Sequence, residues 1–273
     1  MIDKLKEYYG IKVDYYQKKE EGILFFIVDQ CYYFCSTLYD DETVKESLQI
    51  IQSYSSIPFH SIIINKNGKY IEDGFILFKL NTFVDDITIN DIYLYDVRCD
   101  QKGFQMNLFW EEKLDYFDNH ISELFQNEEI RDSYDYFLGI GEMLLSIIRF
   151  EEYYYDVRLS HKKIRSLSTL SFYNPLNVSF DSVVKDLAGY IRLTKDYDLL
   201  SKIYESVPGY LRNYFYVRLC FPYLYFDGLL SYLNDENSNI VTNFLLNINE
   251  YQEYINNIQR IFGIYIIPIK KCN

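Results

Sequence analysis

The chain has 273 residues, with 40 acidic and 27 basic side chains, and its formal net charge is −13 at pH 7. This length can bury a sizeable core, and a hydrophobic content of 49% excludes general disorder. The acidic balance argues against nucleic acid or an anionic membrane surface as a partner, because both attract clustered lysine and arginine.

The cysteines and the N-terminus indicate the compartment. The chain has five cysteines, and only Cys31 and Cys35 lie close together, so the spacing argues against a zinc site. The N-terminal residues lack the apolar core of a signal peptide, and no apolar run approaches the roughly 20 residues of a membrane-spanning helix. We therefore expect reduced thiols and a cytoplasmic protein that does not enter a membrane.

The first 83 residues predict a small antiparallel sheet. A helix over 1–9 ends at Gly10, and short runs rich in β-branched and aromatic residues follow it. These runs predict strands over 11–16, 23–29, 32–38 and 75–80.

A helix and a hairpin complete this region. An acidic residue at 40–41 is placed to cap a helix over 42–54. Asn67-Gly68 favours a tight turn, because both residue types accept a positive φ, and it predicts a hairpin between 61–65 and 70–71.

The rest of the chain is predicted to be mainly helical, after a mixed connection over 84–103. Apolar residues recur at helical spacing in several segments. These segments predict helices over 104–125, 129–155, 182–194, 197–206, 209–233 with a break at Pro222, and 240–262. We expect an α+β protein with a β-rich lobe (1–83) and a helical lobe (84–273) that holds an irregular loop-hairpin over 156–181.

Four stretches of sequence point to a family. They are Leu159-Ser160-His161-Lys162-Lys163-Ile164, Phe172-Tyr173-Asn174-Pro175-Leu176-Asn177, Lys185-Asp186-Leu187-Ala188-Gly189-Tyr190-Ile191, and the arginine-and-proline segment Tyr216–Asp227. Together with the order of the lobes, they resemble the protein-kinase-like fold of aminoglycoside phosphotransferases and choline kinases. The nearest resemblance is to spore-coat-associated kinase-like proteins of the CotS/YutH type. The resemblance implies two lobes, ATP and magnesium in active members, and a catalytic His-Gly-Asp loop followed by Asn.

The sequence departs from that pattern at the positions that carry the chemistry. Lys162 and Lys163 follow His161, so a cation stands where the catalytic aspartate would accept a proton. Ser168 stands where the family has its metal-binding asparagine, and the strand over 32–38 contains no lysine to grip phosphate. The turn over 17–22 has one glycine and two glutamates, which is a poor phosphate cradle.

Each candidate site residue has a functional and a structural interpretation. His161 is a candidate base, but the resemblance favours a structural role in which it supports the loop together with Asp186. Asp181 is the only carboxylate placed to bind a metal, or it caps the helix that follows, which we favour. Lys162, Lys163 and Arg165 form a basic cluster that either receives an anion or a partner, or is a solvated surface.

Two functions follow from the resemblance and its gaps. The first, which we favour, is an inactive kinase-like protein (a pseudokinase) that needs no cofactor and binds a protein partner or small molecule. The second is a divergent small-molecule kinase that uses ATP and magnesium, with Asp181 on the metal. An unrelated α+β protein is the third interpretation.

Overall fold

The structure is a computed structural model, and it describes residues 1–19, 21–82, 86–149, 156–234 and 239–267. The end of the predicted helix 129–155 lies outside these residues. The chain separates into two compact units, Met1–Val97 with Leu159–Ser179 and Arg98–Arg158 with Phe180–Asn273. The expected lobes divide the chain by element type, whereas the first unit also takes in the segment Leu159–Ser179.

The first unit is built on a six-stranded antiparallel sheet. Its strands are β1 (Gln17–Lys18), β2 (Gly22–Ile27), β3 (Gln30–Ser36), β4 (Ser61–Ile63), β5 (Ile71–Glu72) and β6 (Phe75–Lys79). The strand order is β1-β2-β3-β6-β4, and β5 pairs with β6. The prediction of a small antiparallel sheet is therefore confirmed.

Both faces of this sheet are covered, because strand residues alternate between them. On one face, Phe25, Phe34 and Leu77 form an apolar cluster with Leu5 of helix α1 (Ile2–Tyr9). The opposite face contributes Leu24, Cys31, Cys35, Ile76, Phe78 and Leu80 to a second cluster. Helix α2 (Asp41–Ile51) adds Val44 to that second cluster.

The predicted end of α1 and the predicted acidic cap of α2 are confirmed, whereas α2 ends at Ile51 rather than at residue 54. Gly10 ends α1 in a left-handed conformation, with φ of 72°. Asp40 is the N-cap of α2, and its carboxylate accepts a hydrogen bond from the Thr43 N–H at 2.8 Å.

The strand positions near the N-terminus were predicted incorrectly. Residues 11–16 are not a strand, and the turn between β2 and β3 lies at Val28-Asp29 rather than in the gap at 30–31 between the predicted strands. Val28 has φ of 53° although it is β-branched and 88% exposed. Because valine disfavours this conformation, the sequence carries no turn signal here.

The Asn67-Gly68 turn forms, but the flanking strands do not pair with each other. The Asn65 N–H donates to the Lys69 carbonyl at 2.8 Å, and Gly68 has φ of 76°. Both β4 and β5 instead pair with β6.

The remainder of the first unit is helix α3 (Ile89–Leu94) and the irregular segment Leu159–Ser179. The connection predicted over 84–103 therefore contains a helix, which begins with a capping box between Thr88 and Asp91. The irregular segment contains α7 (Thr169–Phe172) and a 3₁₀ turn (Pro175–Asn177). Strands β7 (Arg158–His161) and β8 (Val178–Asp181) form a two-stranded sheet.

The second unit is a helical assembly. Its helices are α4 (Met106–Asn119), α5 (Ile121–Leu124), α6 (Glu128–Ile148), α8 (Val183–Thr194), α9 (Tyr197–Ser206), α10 (Arg212–Cys220), α11 (Tyr223–Leu233), α12 (Asn239–Leu246) and α13 (Ile248–Phe262). All residues from Tyr214 to Cys220 are buried, which makes α10 the central helix. The break at Pro222 is confirmed, whereas the helix predicted over 240–262 is interrupted at Asn247.

Four cysteines of the described ranges are buried: Cys31, Cys35, Cys99 and Cys220. Burial raises the pKa of Cys35 to about 12 and raises that of Cys220 as well. Among the helices in the described ranges, none has the length and apolar character needed to cross a bilayer.

Candidate functional site

His161 ends β7 in a fully buried aromatic environment. Its Nε2 lies 2.9 Å from the Phe172 carbonyl oxygen. Its ring centroid is 4.1 Å from that of Tyr95 and 4.0 Å from that of Phe172. Because the side chain is 0% exposed, solvent and substrate have no direct access to it in this structure.

Asn177 holds the loop after His161 in place. Its Oδ1 accepts a hydrogen bond from the Lys163 N–H at 3.2 Å, and its Nδ2 donates to the Lys163 carbonyl at 3.0 Å and to the Ser171 carbonyl at 3.4 Å. The Lys162 N–H donates to the Asn177 carbonyl at 2.6 Å. The asparagine therefore uses both ends of its amide to fix the backbone.

The residues of the predicted basic cluster are all exposed, namely Lys162, Lys163 and Arg165. Lys162 Nζ lies 4.9 Å from the centre of the Tyr39 ring, a cation–π contact. Lys162 is therefore an exposed cation that contacts an aromatic ring.

His60 ties the loop before β4 to the same irregular segment. Its backbone N–H donates to the Tyr173 carbonyl at 2.9 Å, and its ring Nε2 lies 3.1 Å from the Thr169 carbonyl oxygen. Burial lowers the pKa of His60 to about 4. The ring is therefore neutral near pH 7, with Nε2–H as the donor to Thr169.

The sheet face that carries Cys31 and Cys35 offers no charge to a phosphate. Strands β2 and β3 contain no lysine or arginine, and Lys79 is the only cation of β6. Lys79 alternates with Phe78 and Leu80, so it belongs to the opposite face. Leu176, from the irregular segment, packs into the apolar cluster on the uncharged face.

Asp181 lies in the second unit, at the end of β8, and it is 1% exposed. Arg218 of α10 donates to its Oδ2 from Nη2. Its Oδ1 accepts hydrogen bonds from the Tyr214 hydroxyl at 2.8 Å and from the Ser182 N–H at 2.7 Å. Asp181 precedes the N-cap of α8, which is Ser182. Both carboxylate oxygens are thus engaged by donors.

Arg218 is buried as well, with 6% of the residue exposed. Its Nε donates to the Tyr214 hydroxyl at 2.7 Å, and its Nη1 donates to the Tyr223 hydroxyl at 3.2 Å. Burial alone would lower the pKa of Arg218, but the negative charge of Asp181 raises it well above the ordinary value. We call Asp181, Tyr214, Arg218 and Tyr223 the Asp181 network.

Lys185 adds a second cation at the edge of the Asp181 network. Its Nζ lies 3.8 Å from Asp181 Oδ2. Burial lowers the pKa of Lys185, and the attraction of Asp181 and Asp186 opposes that shift. Asp186 is itself 3% exposed, in the first turn of α8.

The Asp181 network satisfies its charges internally, which differs from what a metal site requires. A magnesium ligand needs carboxylate lone pairs that face a hydrated ion, whereas those of Asp181 point at protein donors. In the ranges that the structure describes, no group of three His, Cys, Asp or Glu side chains is arranged to hold a metal.

The partners of Asp181 were missed at the sequence level. Tyr214 and Arg218 are four residues apart, so they share one face of α10. That spacing signals a side-chain pair on one helix. It gives no indication that the pair reaches a carboxylate on β8, because the contact depends on how α10 packs.

The chain is similar to several solved structures, among them the following three. The aminoglycoside phosphotransferase of Alicyclobacillus acidocaldarius has a TM-score of 0.60 and 8% identity, and the match covers 93% of this chain and 94% of that one. A spectinomycin phosphotransferase in complex with ADP and spectinomycin has a TM-score of 0.55 and 13% identity, with 96% of each chain covered. Choline kinase from Streptococcus pneumoniae has a TM-score of 0.56 and 9% identity, with 94% and 97% covered.

These matches confirm the expected fold, a two-lobe kinase-like fold with a small antiparallel lobe and a larger helical lobe. No protein-family model matches the sequence, and no curated protein matches it significantly. At these low identities the likeness establishes the fold and does not assign an activity.

Proposed function

We propose that this chain is a kinase-like protein that does not transfer phosphoryl groups and that serves as a binding or scaffolding module. The observation that carries the proposal is the state of Asp181. The resemblance makes Asp181 the only candidate carboxylate for a metal, and this side chain is buried against Arg218 with both oxygens engaged. To bind magnesium, the carboxylate would have to leave Arg218 as an unpaired buried cation, which is costly.

The residues around the expected positions of the catalytic base and of the phosphate-binding lysine support the same proposal. Phosphoryl transfer needs a base for the substrate hydroxyl and cations that hold the phosphates. Lys162 and Lys163 offer no base, and the apolar sheet face around Cys31, Cys35 and Leu176 offers no phosphate-binding cation.

The alternative is a divergent small-molecule kinase that uses ATP and magnesium. It is favoured by the likeness to phosphotransferases over more than nine-tenths of the chain, one of them bound to ADP. In that case Asp181 exchanges Arg218 for a metal when nucleotide binds.

Calorimetric titration of ATP with magnesium or manganese separates the two functions. We expect no saturable binding at millimolar nucleotide, and no change in this result for Asp181→Asn. The matched control is Asp156→Asn, which breaks another buried ion pair, with Arg158 at 3.0 Å. Metal-dependent binding that Asp181→Asn abolishes and Asp156→Asn retains would overturn the proposal and establish the kinase alternative.

The remaining assignments rest on the resemblance and on composition. We propose a cytoplasmic protein with a protein or small-molecule partner, most similar to spore-coat-associated kinase-like proteins. We also propose that His161 and Asp186 support the loop rather than act in chemistry, and that Lys162, Lys163 and Arg165 form either a solvated surface or a contact for an anionic partner.

A further inference from the structure

The first unit contains a depression beside the C-terminal half of α2 that the proposed function does not use. Its volume is about 500 Å³, within the range of small-molecule sites. Its aliphatic and phenyl lining residues are Leu48, Ile51, Ile57 and Phe59, and we call the two buried ones, Ile57 and Phe59, its floor. Lys45, Gln49 and Tyr70 also line it. We call it the α2 depression.

The charged lining of the α2 depression is cationic, whereas the whole chain is acidic. The protein carries a net charge of −13. Within the described part of the chain, however, no aspartate or glutamate lines the α2 depression, and Lys45 is its one charged lining residue. Glu42 lies 3.5 Å from Lys45, but both side chains are more than half exposed, so this pair is weak.

Hydrogen bonds to backbone groups fix the walls of the α2 depression. The N–H groups of Tyr70 and Ile71 donate to Asp41 Oδ1 at 3.1 and 2.8 Å, which ties the Tyr70 wall to the start of α2. On the floor, the Phe59 N–H donates to the Ile57 carbonyl at 2.8 Å, and the Asn81 amide donates to the Phe59 carbonyl. A ligand would therefore meet a preformed surface and lose little affinity to ordering.

We propose that the α2 depression binds a small amphipathic carboxylate, with the apolar body on Leu48, Ile57 and Phe59 and the carboxylate on Lys45. The rings of Phe59 and Tyr70 favour a flat apolar body. The amide of Gln49, one turn beyond Lys45 on the same face of α2, supplies a second hydrogen-bond donor to the carboxylate. This site does not depend on whether the protein transfers phosphoryl groups.

A matched pair of probes tests the charge and the apolar body separately. 2-Naphthoate and 2-naphthamide have nearly the same shape, and only the first is an anion. By calorimetry at low salt, we expect one saturable site that binds 2-naphthoate about tenfold more tightly than 2-naphthamide, because a charge-assisted hydrogen bond is stronger than a neutral one.

Three exposed-residue variants locate the site without endangering the fold. We expect Lys45→Met to abolish the tenfold preference for 2-naphthoate. Gln49→Glu should weaken the binding of 2-naphthoate and leave the affinity for 2-naphthamide unchanged. Lys12→Met, an exposed lysine of the same unit that does not line the depression, should behave as the wild type. The proposal is wrong if neither probe binds saturably at millimolar concentration, or if Lys45→Met retains the preference.

Discussion

Arg218 in the Asp181 network and Lys45 at the α2 depression are cations in opposite situations. The Arg218 side chain is 7% exposed, and each of its three nitrogens donates to a described partner. The Lys45 side chain is 53% exposed, and its ion pair with Glu42 is weak. An enclosed cation with its own counter-ion stabilises the fold, whereas an exposed cation beside apolar surface is available to a ligand. In this kinase-like fold, Asp181 and Arg218 show the first pattern.

Removing Arg218 should produce the largest effect. Arg218→Met leaves Asp181 buried without its main partner, so we expect a loss of about 3–5 kcal/mol in the free energy of unfolding. Urea denaturation at pH 7 measures this loss. The control is Lys195→Met, which removes the exposed pair with Glu250 at 3.1 Å and should cost less than about 1 kcal/mol. Similar losses for both variants would mean that the Asp181 network does not stabilise the fold.

His60 should make the first unit sensitive to acid. It directly follows Phe59 on the floor of the α2 depression, and its folded pKa of about 4 lies below the ordinary value of 6.5. A lowered histidine pKa means that the unfolded chain binds the proton first. The contribution of His60 to the free energy of unfolding is therefore fully present above pH 6.5. About 3 kcal/mol of it is lost as the pH falls from 6.5 to 4.

Urea denaturation at several pH values between 7 and 4 measures the free energy of unfolding. Carboxylates also titrate in this range, so the contribution of His60 is obtained by comparison with a variant. His60→Gln should show a shallower pH dependence of the free energy of unfolding than the wild type. Equal pH dependence for wild type and His60→Gln would contradict the assignment.

Removing Lys45 should produce the smallest effect on stability. The side chain makes no buried contact that the fold depends on, so Lys45→Met should change the free energy of unfolding by less than about 0.5 kcal/mol. The same urea denaturation measures it, with Lys12→Met as the control. A loss above about 1 kcal/mol in the free energy of unfolding would mean that Lys45, like Arg218, stabilises the fold. The contrast between the two regions would then be wrong.

Local signals in the sequence predicted much of the fold. The Asp40 cap, the Gly10 terminus and the break at Pro222 each depend on the chemistry of one or two residues, and all three are confirmed. The errors arose where the chain adopts a conformation that its residues do not favour. Val28 at φ of 53° placed a hairpin turn where no glycine or asparagine marks one.

The candidate site was less accessible to sequence reasoning. The sequence singled out Asp181 but not its partners, because Arg218 lies 37 residues further along the chain. Packing of α10 brings them together, and periodicity does not specify packing. The α2 depression had no sequence signal, since its residues read as an ordinary amphipathic helix followed by a loop.

The interior thiols have a consequence for how the protein ages in an oxidising or alkylating environment. Cys31 and Cys35 lie in the first unit, and Cys99 and Cys220 lie in the second, all buried. Because burial also raises the pKa of Cys35 and Cys220, little thiolate exists to react even when a reagent reaches them. Damage at these sulfurs must wait for local opening, so the rate of thiol modification reports how often each unit opens.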